Sequence, residues 1–188
     1  KNIPRHVTAG SNFLISFGTG IQPAGNPSDA FASFNGSDYA LGASDFYVYS
    51  FSAPCSPGKY DLNLTIQDTL GATANLSHSI TVHSFAVQAS ASPISVASGQ
   101  VVNLSAVTNP SLPNASYSWT SVPNVSIQNA NTSNATSLPS DTTAYTVIAQ
   151  NGNCAVSDHV TVTVQACSNN PPVIVEVATA LSFIVTPS

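Results

Sequence analysis

The side chains able to do chemistry in this sequence are few and scattered. His6, His78, His83 and His159 are its four histidines, and they fall at spacings that fit no hydrolytic or metal-binding pattern. No His-Glu-x-x-His, Gly-x-Ser-x-Gly, Walker or Cys-x-x-Cys motif occurs. Asp29, Asp38 and Asp45 lie in one loop-rich stretch and could offer oxygens to calcium. Their spacing matches no EF-hand, and aspartate commonly stabilises turns, so they are read as turn formers. The expectation is therefore no catalytic residue, no cofactor site, no metal site and no enzyme activity.

Asparagine is a different matter. Asn-x-Ser/Thr without an intervening proline occurs at Asn35, Asn63, Asn75, Asn103, Asn114, Asn124, Asn131 and Asn134. With 17 Asn and 46 Ser plus Thr among 188 residues, chance supplies about four. Asn63, Asn75, Asn103 and Asn124 fall on expected strands in the outward phase, beside Leu64, Leu76, Leu104 and Val125. A bulky glycan tolerates only that face. An Asn-rich chain that simply exposes its asparagines is the plainer reading; N-linked glycans on an extracellular surface are the favoured one.

Composition narrows the partners. Only 6% of residues are charged, the net charge is −5, and Lys1, Arg5 and Lys59 are the only strong bases. This argues against nucleic acid and anionic membranes as partners. No run of 18 apolar residues is present, so no membrane insertion is expected, and no signal peptide is visible. With so few ionisable groups, stability should depend only weakly on pH.

The elements that must position these residues read as strands. Residues 12–17, 46–51, 61–67 and 74–82 are strand-like, with turn signals at Gly25, Pro27, Gly36 and Gly42 in the loop-rich stretch. In residues 60–66, Tyr60, Leu62, Leu64 and Ile66 face in while Asp61, Asn63 and Thr65 face out. The run around Pro57-Gly58-Lys59-Tyr60 and Asp68-Thr69-Leu70-Gly71 resembles the C-terminal half of PKD-type domains, over residues 46–83. The Trp-Asp-Phe-Gly-Asp segment usual in that family is missing.

A second unit follows, with strands at 85–90, 101–107, 116–120, 125–128, 144–149 and 155–165 and a turn at Asn151-Gly152-Asn153. Trp119 and Tyr145 resemble the core tryptophan and tyrosine corner of immunoglobulin-like domains. This unit is similar to the PKD-like repeats of secreted adhesins. The expected architecture is all-β, with two tandem sandwiches at residues 1–83 and 84–166, then a linker and terminal strand at 167–188. Within such a sandwich, Cys55 falls before the sixth strand and Cys154 at the last turn of the second unit. An interdomain Cys55–Cys154 disulfide is expected, leaving Cys167 unpaired or bridging subunits.

The terminal stretch alternates strictly: Val173, Val175, Val177, Thr179, Leu181, Phe183 and Val185 share one face. Its six large apolar side chains represent roughly 9–18 kcal/mol of gross burial. The first unit reaches Gly10, Phe13, Ile15 and Ser16 almost at once, where the second places a whole strand before Gly99, Val102, Leu104 and Ser105. An opening strand is thus missing from the first unit. Residues 182–188 match that opening strand of the second.

Three readings stand. The tail completes the first unit of the next subunit; the chain is one unit of a longer tandem array; or the tail folds back at home. A head-to-tail contact that does not close builds a filament of identical subunits. The architecture resembles crenarchaeal thread-type filament subunits, which implies a two-domain, N-glycosylated cell-surface protein serving adhesion or cell-cell contact. The alternative is a non-catalytic carbohydrate- or protein-binding module of a larger secreted adhesin or hydrolase, with Phe31, Phe34 and Tyr39 as candidate contact aromatics.

Overall fold

The computed structural model describes residues 2–18, 27–41 and 46–166. These residues hold fifteen strands and no helix. The first seven are β1 (His6–Thr8), β2 (Asn12–Gly18), β3 (Pro27–Phe34), β4 (Ser37–Ala40), β5 (Phe46–Ser52), β6 (Gly58–Asp68) and β7 (Thr73–His83). They form a five-stranded sheet ordered β1-β7-β6-β3-β4 and a two-stranded sheet β2-β5. The other eight are β8 (Ala86–Ser92), β9 (Ser95–Ala97), β10 (Val102–Asn109), β11 (Ser116–Val122), β12 (Ile127–Gln128), β13 (Asn134–Ser137), β14 (Thr143–Asn151) and β15 (Cys154–Gln165). They form two four-stranded sheets, β12-β13-β10-β8 and β11-β14-β15-β9.

Alternation builds the first core. On β6, Leu62, Leu64 and Ile66 are buried while Asp61 and Asn63 are exposed, as the sequence requires. Phe13, Phe34 and Phe51 meet in the centre with ring centroids 5.5–5.8 Å apart. The β6–β7 turn is closed by buried Asp68, whose Oδ1 accepts from the backbone N–H of Leu70 (2.9 Å) and Ala72 (2.8 Å).

One expectation fails here. The stretch read as loop-rich contains the hairpin β3–β4, with Phe34 paired to Ser37 across Asn35-Gly36. Both turn residues have positive φ, 50° and 73°, which the Asn-Gly pair adopts readily in two-residue hairpins. The buried face is Ala30, Ala32 and Phe34, and two alanines give a weak hydrophobic alternation.

In the second sandwich, Trp119, Tyr145, Val147, Leu104 and Val162 are buried together. Trp119 Nε1 donates to the Thr132 carbonyl at 3.1 Å. Tyr145 is buried as expected, but among the described residues its hydroxyl has no hydrogen-bond partner and makes no tyrosine-corner bond. Short β9 and β13 escaped the sequence reading because three or four Ser-, Ala- and Thr-rich residues carry no period. Asn124, expected on a strand, lies in the loop before β12.

A buried hydroxyl without a partner costs roughly 1–3 kcal/mol. Tyr145→Phe is expected to leave stability unchanged or raise it by up to about 1 kcal/mol, measured by denaturant unfolding through the fluorescence of the single tryptophan. A loss above about 1 kcal/mol would mean that the hydroxyl is bonded.

Candidate functional site: an open strand edge and a locked joint

The two sandwiches share a plan, and comparing them exposes one difference. β1 pairs parallel with β7 (Val7 opposite Val82), as β9 pairs parallel with β15 (Val96 opposite Val164). Gly10 and Gly99 follow those strands with φ of 75° and 74°. Ser11 and Gln100 then donate back to the carbonyls of Thr8 and Ala97. β2 pairs with β5 as β10 pairs with β13.

β10 has a second neighbour. Seven residue pairs, from Asn103–Ser92 to Asn109–Ala86, join it to β8. At the same edge of β2 there is one pair among the described residues, Asn2 opposite Ser16, with hydrogen bonds of 2.7 and 2.8 Å. The short strand β1 is the counterpart of β9; among the described residues β2 has no counterpart of β8, the opening strand of the second sandwich. Residues two apart direct their N–H and C=O to the same edge, so Gly18 presents these groups beside those of Ser16. An unmatched strand edge is a template for another strand.

The second sandwich fixes its own edge strand firmly. Asp158 on β15 accepts at Oδ2 from the backbone N–H of Ala89 on β8, at 2.8 Å. That bond first, and the backbone N–H of His159 second, hold the Asp158 carboxyl below its ordinary value of 3.8.

Between the sandwiches lies a tight joint. Cys55, in the β5–β6 loop, and Cys154, at the start of β15, form the expected disulfide, with Cα atoms 5.2 Å apart. It closes a sequence separation of 99 residues, for which chain entropy gives about 4–5 kcal/mol. Asn151 Nδ2 donates to the Ala9 carbonyl at 2.8 Å. Gly10 and Gly152 meet so closely that a Cβ on Gly10 would sit 1.9 Å from the Asn151 carbonyl oxygen. Phe85 and Cys154 are buried in the first core, with Leu112 and Val156 packed against it. No sequence signal marks the glycine contact, because it joins residues over a hundred positions apart.

All eight sequon asparagines are exposed: Asn63, Asn75 and Asn103 on outward strand faces, Asn134 at the start of β13, and the others in turns and loops. Val173, Val175, Val177, Leu181, Phe183, Val185 and Cys167 lie outside the described residues, as do Asp45 and the Asp29 side chain. Asp38 is exposed on β4. Of the three aromatics considered for ligand contact, Phe31 is exposed, Phe34 is core, and Tyr39 packs on Phe51 at 4.8 Å. They do not form one platform. Among the described residues no three His, Cys, Asp or Glu side chains gather as metal ligands.

These layers define an all-β protein of two tandem immunoglobulin-like sandwiches. No family model and no curated protein matches the sequence. Solved structures with a likeness to it include the I9–I11 tandem from titin, at TM-score 0.49 and 12% identity over 88% of this chain and 65% of that one. The fibronectin(III)-like modules of Clostridium thermocellum CbhA align at 0.37 and 14%, over 86% and 90%. The Yersinia pseudotuberculosis adhesin InvE aligns at 0.36 and 14%, over 87% and 57%. The likeness is one of fold.

Two outcomes follow. Gly10→Ala and Gly71→Ala share a positive-φ penalty of about 1–2 kcal/mol, but Gly71 faces open space. Gly10→Ala is expected to cost at least about 2 kcal/mol more, measured by urea unfolding; equal costs would deny the joint. The second outcome concerns acid. Asp158 is the stronger acid when folded, so its stabilisation is complete above pH 3.8 and fades as pH falls through the lower folded value. The stability gap between wild type and Asp158→Asn should therefore narrow as pH falls below 3.8, and a gap constant with pH would contradict that bond.

Proposed function

We propose that the protein is the subunit of an extracellular, N-glycosylated filament. Residues 173–185 of one copy occupy the edge of β2 in the next, standing where β8 stands in the second sandwich. The observation that carries this reading is the contrast, among the described residues, between seven pairs on the edge of β10 and one on the edge of β2. An apolar alternating strand needs a sandwich slot, and an incomplete sandwich needs a strand. The contact joins two different surfaces of the subunit, and such a head-to-tail contact propagates as a fibre when the rotation between copies does not close a ring.

Two further observations support a cell-surface setting. A disulfide joins the sandwiches, which suits an oxidising compartment, and every sequon asparagine is open to solvent. No described helix is long and apolar enough to cross a membrane. The role is mechanical and adhesive, without catalysis, and the partners are identical subunits.

Negative-stain microscopy of the full chain beside one ending at Asn170 tests the proposal. Filaments from the first and single particles from the second are expected. Two equally monomeric samples of equal stability would overturn it.

A further inference from the structure

The described strong bases of this chain, Arg5 and Lys59, both line one depression of about 340 Å³ on the outer face of the five-stranded sheet. His6, His78, Ser79 and Thr81 complete its lining. His83 stands beside it, its Nε2 3.0 Å from His6 Nδ1 and the two rings stacked at 5.2 Å. Three of the four histidines therefore gather here with both described strong bases, in a chain of net charge −5.

The register explains the convergence. His6 pairs with Thr81 across β1–β7, and Lys59 pairs with Thr81 across β6–β7, so three strands deliver their outward side chains to one place. Arg5 enters through its carbonyl, which accepts from Thr81 N at 2.8 Å. His78 Nε2 is taken up by the Pro4 carbonyl at 3.3 Å. The nearest carboxylate in the register is Asp61, two residues along β6 and opposite Ser79. No described carboxylate bonds to Arg5 or Lys59.

We infer that this depression is a binding site for an acidic sugar, recognised through one sulfate or carboxylate group. Arg5 and Lys59 supply fixed positive charge, and Ser79 and Thr81 supply hydroxyls for neighbouring sugar oxygens. No apolar side chain lines the depression, whereas protein partners anchor through buried apolar and aromatic contacts. A long polyanion would have to lie against the net negative surface; a single acidic sugar touches only the patch. The volume is at the small end of ligand pockets.

Saturation-transfer NMR on the full chain at low salt tests the assignment, with glucose 6-sulfate, glucuronate, glucose and inorganic sulfate as probes. Saturable binding of either acidic sugar, and none of glucose, is expected. Exchanging both exposed bases, Arg5→Gln with Lys59→Gln, should weaken it at least about tenfold. Binding of glucose as tight as its sulfate, binding unchanged by the base substitutions, or no binding of either acidic sugar would overturn the site. Inorganic sulfate binding as tightly as glucose 6-sulfate would overturn the sugar assignment.

Discussion

Among the described residues the first sandwich sets a five-stranded sheet against a two-stranded one that cannot cover it, and that inequality governs it. Strands lie about 4.8 Å apart, so β2 and β5 span roughly 10 Å across a partner sheet more than twice as wide. The second sandwich has four strands against four. What balances it is β8, paired along β10 and held by Asp158. Backbone groups at an edge must find water or another strand, and under the proposed assembly the second solution is used on β2.

The joint between the sandwiches acts on the same problem from the other side. Neighbouring domains usually move relative to one another. Here a disulfide, the Gly10–Gly152 contact and Phe85 buried in the first core oppose that motion. In a string of subunits, each such joint would set the direction in which the next edge is presented. Glycans on the exposed sequons would then clothe the outer faces while leaving strand edges free.

Much of this was legible in the sequence. Leu62, Leu64 and Ile66 announce β6 by alternation, and the burial of Trp119 and the Cys55–Cys154 pairing followed from treating the chain as two sandwiches. The matching glycines at 10 and 99 were visible as a pattern, and their shared positive φ supplies the physical reason. Strand β3 was hidden because Ala30 and Ala32 bury little area, although Asn35-Gly36 was a usable hairpin signal. The short strand β1 was hidden because three residues have no period. The basic depression depends on a β1–β7 register linking residues more than seventy positions apart, which no local pattern encodes. The Tyr145 hydroxyl, without a partner among the described residues, belongs likewise to three-dimensional packing.

The central claim is that the edge of β2 accepts a strand. Backbone hydrogen exchange tests it most directly, on a chain ending at Asn170 with and without a synthetic peptide of residues 171–188. The account predicts that fragments covering residues 14–18 slow by about tenfold or more when the peptide is added, while those covering β10 do not change. Unchanged exchange across residues 14–18, with the peptide in excess, would contradict it.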